Sequence, residues 1–356
     1  MIKRNKKLMS ELSLSLDFVF ANGRDNSNKE DYGDWDFRSY DEIKKILNNN
    51  GDIDYDKIRR FIRDGIYVSD RPSARIKGYT VQNYWFDILI RVLIIMTGYK
   101  RNGVNEAKLT FNILEQLGML ELLDEYPMPS TGTPFFIKYK GYKFTNRYLR
   151  HIYFLSIFKE HLSEKLKESP IFLDIGSSYG AFSYLLKKDI PKSHHILVEL
   201  PGQLILTHFY LRSEFPNAKI ATIKKVDELQ KLDTKTIRQF DFVLLSTTMY
   251  QKLETMDIDV VTNFVSLAEM PKKWFDTYVN SVPFKTAKYL YTANRYDSYP
   301  TYNNNITILD YPFSYYKKII FKTLPILKIY FVPFLIFFTR RVRYPSELFI
   351  FIGKTK

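Results

Sequence analysis

The sequence predicts an α/β protein with a doubly wound, Rossmann-like sheet, preceded by a mainly helical accessory domain. Two observations carry this. Ile171-Phe172-Leu173-Asp174-Ile175 is an apolar run with one acid, followed by the small-residue turn Gly176-Ser177-Ser178-Tyr179-Gly180 and an amphipathic run over 181–188. That pattern is a buried strand, a tight turn and a helix start. Further on, His195-Ile196-Leu197-Val198-Glu199 reads as a second parallel strand ending in a carboxylate, and Leu200-Pro201-Gly202 breaks it before a helix over 203–215. Strand, glycine turn, helix, acidic-ended strand and helix make the first half of a doubly wound fold.

The elements follow in order. Residues 1–145 form the accessory domain, with a polar loop over 22–36 and short helical patterns at 41–47 and 55–63. The segment 84–96 is strongly apolar but contains Asp87 and Arg91, so it reads as a buried helix rather than a membrane span. An amphipathic helix at 109–123 precedes a loop broken by Pro127, Pro129, Gly132 and Pro134. The second domain, 146–356, opens with a helix over 146–160. Its strands are expected at 171–175, 196–199, 240–246, 258–263 and 287–293. We take 258–263 as the fourth strand; the competing reading places the fourth at 242–245 and the third at 219–223. Residues 306–309 and 348–352 are expected to complete the sheet as a terminal antiparallel pair.

The turn has the spacing Asp-x-Gly-x-Ser-x-Gly, not the Gly-x-Gly-x-x-Gly of dinucleotide sites. Its backbone N–H groups and the helix start suit a ligand above the strand. Asp174, two residues before the first glycine, suits a polar amino-acid end. Glu199, about 20 residues further on, suits both hydroxyls of a ribose.

On these residues the chain resembles a class I S-adenosylmethionine (SAM)-dependent methyltransferase, and more narrowly the bacterial sugar O-methyltransferase family. The matching pieces are Tyr148-Leu149-Arg150, the Asp174 loop and Val198-Glu199-Leu200-Pro201-Gly202-Gln203. Asp259-Val260-Val261-Thr262-Asn263, Ser266-Leu267-Ala268-Glu269-Met270 and Tyr289-Leu290-Tyr291-Thr292-Ala293-Asn294-Arg295 point to the sugar family. The resemblance implies SAM as cofactor, held by Asp174, Gly176, Ser178, Tyr179, Gly180, Glu199 and Asn263. It implies a sugar or glycan acceptor, such as a sugar-nucleotide precursor, met by Ser266, Asn294 and Arg295. One departure is Ser178, where the loop's central residue is usually glycine; its side chain leaves less room for a ligand.

O-Methylation needs a group to take the hydroxyl proton, and Glu269 is the expected base because it follows the fourth strand at the ligand-binding end of the sheet. The alternative is that Glu269 caps the helix starting near Pro271. His195 and Asp297 are the next candidates. Arg295 suits a phosphate through its bidentate fork.

Composition limits the alternatives. There is no cysteine, which excludes disulfides, thiolate metal sites and cysteine nucleophiles. The five histidines show no metal-ligand spacing, so no metal is expected. No signal peptide is expected, since 12–20 is interrupted by Ser13, Ser15 and Asp17. The expected location is cytoplasmic. A net charge of +14 suits acidic partners or reflects lysine-rich coding. No nucleic-acid-binding signature accompanies it, so nucleic acid is not expected as a partner. The competing functions are a methyltransferase of another substrate, such as nucleic acid, and a non-catalytic Rossmann-like scaffold in glycan assembly.

The segment 316–343 is read as a basic–apolar insertion, with seven basic residues and no acidic one. Lys328, Pro325 and Pro333 interrupt its apolar stretch and argue against a span. It suits a peripheral contact with the anionic inner membrane face, a cover packed over the acceptor site, or the contact of a homo-oligomer.

Overall fold

The computed structural model describes residues 6–22, 43–64, 66, 102–254, 257–298, 304–326, 328–335, 338–344 and 347–356. The expected helix at 84–96 and nearly all of the expected loop at 22–36 lie outside them.

Helix α1 (Lys6–Asn22) buries Leu8, Leu12, Leu16 and Val19, a stripe at helical spacing. Each such side chain contributes roughly 1.5–3 kcal/mol on burial. The partly buried Glu11 carboxylate, hydrogen-bonded to His208 Nε2 (3.2 Å) and paired with Arg212 (3.3 Å), adds less. The apolar stripe therefore decides where α1 docks. The short helices α2 (Tyr55–Ile58) and α3 (Phe61–Asp64) follow, and Phe61 sets its ring edge-on to Tyr179 and Phe209. Helices α4 (Asn102–Gln116) and α5 (Glu121–Glu125) lead into the hairpin β1 (Ile137–Tyr139) and β2 (Tyr142–Phe144). Thr145 then caps α6 (Asn146–His161), its Oγ accepting the Tyr148 N–H. The described part of the first 145 residues thus packs directly on the sheet domain.

The sheet domain runs β3 (Ile171–Ile175), α7 (Ala181–Asp189), β4 (His194–Glu199), α8 (Pro201–Glu214), β5 (Ile220–Ala221), α9 (Ile223–Glu228), α10 (Thr234–Ile237) and β6 (Phe242–Ser246). It continues with β7 (Val260–Phe264), α11 (Lys272–Val279), α12 (Val282–Thr286), β8 (Tyr289–Arg295), β9 (Tyr316–Thr323), β10 (Lys328–Leu335), β11 (Phe338–Tyr344) and β12 (Leu348–Thr355). Eight strands form one sheet in the order β5-β6-β4-β3-β7-β8-β12-β9. The first six are parallel, and β12 runs antiparallel to both β8 and β9. β3 and β6 are buried along their whole length, as parallel strands with both faces covered must be. This is the mostly parallel, doubly wound α/β sheet that the sequence predicts.

In chain order the short β5 at 220–221 makes β6 the fourth strand of the sheet domain and β7 the fifth, which is the competing order, while the register gives β7 the place beside the first strand. Leu173 pairs with Val261 and Asp174 with Thr262, so β7 lies directly beside β3. β6 sits outside β4, and β5 is only a two-residue edge. The chain reverses its direction of winding between β4 and β7, on either side of β3, and a crevice opens there at the carboxyl ends of the strands.

Two expectations are corrected. The antiparallel pair is β12 with β9, not with 306–309. At 306–309 the Thr307 side chain and the Asp310 carboxylate cap one another, which closes a 3-10 turn instead of extending a strand. Residues 316–323, read as the start of an insertion, are the outer strand of the sheet. Their exposed Lys317, Lys318 and Lys322 are edge-strand charges, which discourage pairing with another chain. The remainder of the basic–apolar segment is an antiparallel hairpin of β10 and β11, with a register shift between Pro333 and Leu335, where a missing N–H is tolerated. No helix among the described residues is long and apolar enough to cross a membrane.

Candidate active site

Between β3 and α7 the chain must turn sharply, and three residues of the loop take left-handed conformations: Gly176 (φ +70°), Ser178 (+53°) and Gly180 (+83°). Each glycine has a packing reason. A Cβ on Gly176 would overlap Ser266 Oγ and lie 2.7 Å from its Cβ. A Cβ on Gly180 would press on Leu197 and Thr207, at 3.2 Å from each. Ser178 bears the strain of its φ, roughly 1–2 kcal/mol. Three bonds hold it there. Its N–H donates to Glu199 Oε2 (3.2 Å), its carbonyl accepts from Thr207 Oγ1 (2.7 Å), and its Oγ accepts from Arg147 Nη1 (3.2 Å).

A cavity of about 350 Å³ lies above this loop. That volume is within the ordinary range for small-ligand sites, about 300–1,000 Å³. Of the expected cofactor residues, Asp174, Gly176, Ser178 and Glu199 line it. Asp174 is buried, with Thr262 Oγ1 donating to Oδ1 (2.8 Å) and Ser183 Oγ to Oδ2 (3.2 Å). Burial pushes its carboxyl up to about 7, and the two hydroxyls offset only part of this. Burial likewise raises Glu199 to about 7; the amides of Leu200 and Ser178 act against that, and Asp174 adds to it. Two carboxyls raised toward neutrality in one crevice make it the candidate ligand site.

Three expected cofactor residues lie elsewhere, which corrects the expected contacts. Tyr179 turns into the core, edge-on to Tyr210 (5.0 Å) and Phe61 (5.8 Å). Gly180 lies outside the lining and serves the approach of α7 to β4 and α8. Asn263 is fully buried outside the lining, and its amide is spent on the protein. Its Nδ2 donates to Ile175 O and Ser266 Oγ, each at 2.6 Å, and its Oδ1 accepts from Asn294 Nδ2 at 2.6 Å. Asn294, expected at the acceptor, is the other half of this clasp and also donates to Thr292 Oγ1 (2.7 Å). The two amides tie the ends of β3, β7 and β8 together beneath the cavity.

The remaining acceptor-side residues do converge. Ser266, Glu269 and Arg295 line the cavity. Arg295 Nη2 donates to Glu269 Oε1 at 2.8 Å, and both side chains are largely buried. The competing cap role for Glu269 is not what the helix shows: α11 has Pro271 at its N-cap and no side-chain cap bond. The other candidate bases lie apart. His195 is fully buried at the amino end of β4, between the rings of Phe172 and Phe242 and bonded to Ser193. Asp297 is exposed and outside the lining.

Several lining residues were not anticipated. Arg147, Arg150 and His151 enter from α6, where i, i+3, i+4 spacing is a readable signal for one helix face. Thr247 lines the cavity at the end of β6, and its buried Oγ1 has no hydrogen-bond partner; the same holds for Ser177 Oγ. Val265 adopts φ +56°, rare for a β-branched residue, while its N–H donates to Ala293 O at 2.8 Å. Such strain concentrates at functional sites. Phe264, Trp274 and Tyr278 add aromatic rings to the lining.

These groups fit SAM, the cofactor the resemblance implies. The loop backbone and Glu199 stand where a nucleoside's ribose needs acceptors and donors, and the orphaned hydroxyls of Ser177 and Thr247 lack the partners a polar ligand would bring. No known family model matches the chain, and no curated protein matches it in sequence. Among solved structures it is similar to precorrin-6y C5,15-methyltransferase from Geobacter metallireducens, at 9% identity and a TM-score of 0.32 over 58% of this chain and 87% of that one. It is also similar to the methyltransferase domain of bacterial CtHen1-CN, at 11% identity and a TM-score of 0.33 over 58% and 97%. M. capricolum TrmK, solved with S-adenosylhomocysteine, matches at 11% identity and a TM-score of 0.27 over 54% and 65%.

Proposed function

We propose that the chain is a SAM-dependent methyltransferase and that its acceptor is a sugar hydroxyl, on a glycan or a sugar-nucleotide precursor. The observation that carries this reading is one cavity lined by the Gly176–Ser178 backbone, two carboxyls raised to near neutrality (Asp174 and Glu199), the Glu269–Arg295 pair and the rings of Trp274 and Tyr278, groups that suit both a nucleoside and the polar edge and apolar face of a sugar.

The cofactor, when bound, supplies a methyl group already activated on a sulfonium. The protein's task is therefore mainly positioning. Glu199 accepts hydrogen bonds from the ribose hydroxyls, and Asp174 favours the ammonium of the amino-acid end. Ser178, fixed by Arg147, Thr207 and Glu199, keeps the loop backbone facing the ligand. Glu269 takes the proton from the acceptor hydroxyl as its oxygen attacks. Arg295 orients that carboxylate through their 2.8 Å bond. The closing experiment is methyl transfer from labelled SAM by the full chain, against a panel of sugar nucleotides, glycans and RNA. Alkali-stable label on a sugar supports the reading; label on RNA alone overturns the acceptor assignment.

A further inference from the structure

At the amino end of the parallel strands, away from the cavity, β8 starts, β12 ends and β9 starts side by side. The segments 282–288, 315–318 and 353–356 meet at this corner, and they contain six lysines and no acid: Lys285, Lys288, Lys317, Lys318, Lys354 and Lys356. The backbone ties them together. Lys354 stands opposite Lys317 on β9 and Tyr289 on β8, and Lys318 stands opposite Gly353. Thr355 donates its N–H to Lys288 O, and Lys356 donates its N–H to Tyr315 O, each at 3.1 Å. Lys285 Nζ lies 5.4 Å from the centre of the Tyr315 ring, and Lys288 Nζ donates to Lys165 O (3.2 Å). Lys285 is half-buried and the other five are exposed. None of the six pairs with an acid among the described residues. Other lysines near the amino ends of these strands do pair, Lys167 with Asp259 (3.0 Å) and Lys187 with Asp241 (2.6 Å).

Stability does not account for this corner, because like charges directly opposite on neighbouring strands destabilise a sheet. Edge protection accounts for Lys317 and Lys318 on the outer strand. It does not account for Lys354, because β12 is paired on both sides. Apolar groups are exposed here too: Val282, one helical turn before Lys285, is 52% exposed, and Tyr315 is 44% exposed. We propose that this corner is a docking surface for an anionic lipid bilayer. The lysines are drawn to the negative surface potential, and the amphipathic Tyr315 ring suits the headgroup level. The three segments contain no arginine, which favours a bilayer over nucleic acid: lysine is a point charge without the fork that fixes a phosphate's orientation. The cavity opens at the other end of the strands, so a docked chain keeps its mouth clear of the bilayer. None of these residues lines the cavity, so docking is independent of the reaction assigned there.

Vesicle sedimentation of the full chain tests this. The vesicles are phosphatidylcholine alone and phosphatidylcholine with about 30% phosphatidylglycerol, and a single-stranded RNA oligomer is the competing probe. A corner variant combines Lys285→Gln, Lys354→Gln and Lys356→Gln. A control removes the same charge near the opposite edge of the sheet, with Lys224→Gln, Lys231→Gln and Lys235→Gln. Lys317→Gln with Lys318→Gln repeats the corner test from the neighbouring strand. Thermal melts check that each protein is folded. Wild type is expected to bind the anionic vesicles about tenfold or more tightly than the neutral ones, and added salt should weaken that binding. The corner variant should melt at or above the wild-type temperature and bind anionic vesicles about tenfold or more weakly. The control should bind them like wild type. The docking surface is overturned if wild type shows no preference for anionic vesicles, or if both corner variants, folded, bind them like wild type. It is also overturned if corner and control variants weaken binding equally, which reports net charge alone. Binding of RNA without binding of vesicles, weakened by the corner variants, would make the corner a nucleic-acid surface and overturn the lipid assignment.

Discussion

Ser178 donates its backbone N–H to the carboxylate of Glu199 across 3.2 Å, joining the turn after the first strand to the end of the second. The bond holds a non-glycine residue at φ +53° and aims the Glu199 side chain along the cavity wall. The loop geometry and the carboxylate proposed for the ribose are thus one structural unit, and a change to either residue is expected to be felt at the other.

The two raised carboxyls give the apo chain a defined pH response. Asp174 and Glu199 titrate near 7 when folded and near their ordinary values of 3.8 and 4.5 when unfolded. Between roughly pH 4 and pH 7 the folded chain holds more protons than the unfolded one, so stability falls as pH rises through this window and levels above it. Cationic SAM favours the ionised carboxylates, so its binding releases protons below pH 7, and its affinity rises with pH until about 7. Titrations at pH 6 in buffers of different ionisation enthalpy measure the release. Asp174→Asn and Glu199→Gln should each diminish it. Binding without proton release would contradict the assigned carboxyls.

Gly176→Ala is expected to lose stability from two sources. The left-handed φ costs roughly 1–2 kcal/mol for any L residue. The collision with Ser266 adds roughly 1–3 kcal/mol, typical of overpacking. Introducing Ser266→Gly into the same chain removes the colliding atoms and should restore the second part but not the first. Denaturant melts of the two single variants and the double variant measure this coupling. Strict additivity would show that Ser266 is not what requires glycine at 176.

Glu269→Gln keeps the shape of the side chain and removes the proton acceptor. Turnover is expected to fall by about 10²–10⁴. Affinity for S-adenosylhomocysteine should hold, because Glu269 is assigned to the acceptor and not to the cofactor. Near-normal turnover per folded molecule would leave the proton to another group.

How much of this was legible follows from how local each signal is. The Asp174 loop and Glu199 could be read because a strand, a turn and an acidic strand end are written in consecutive residues. β7 could be placed because Asn263 lies at its carboxyl end and Ser266 and Glu269 follow it directly. Their roles were less readable. Asn263 and Asn294 bond one another across two strands, and a buried amide clasp has the same letters as a ligand-binding pair. Tyr179 lies in the loop, yet its ring finds Phe61 and Tyr210, partners far away in sequence. The strand at 316–323 was masked by its lysines, which belong on a sheet edge but read as a basic insertion. The i, i+3, i+4 spacing of Arg147, Arg150 and His151 records a shared helix face, but that this face meets the cavity depends on where α6 packs, a tertiary fact.

The central claim is that the cavity above Gly176–Ser178 holds the nucleoside of SAM, with Glu199 on its ribose. Calorimetric titration of S-adenosylhomocysteine into wild type and Glu199→Ala at pH 8, with thermal melts of both, tests it most directly. The account predicts one-site binding to wild type and a loss of roughly 1–3 kcal/mol of binding free energy in the variant, the cost of leaving polar partners unsatisfied. The variant should stay folded, because loss of the Ser178 bond is opposed by relief of the burial cost that ionised Glu199 carries at pH 8. Equal affinity in the two proteins, or no saturable binding to a folded wild type, would contradict it.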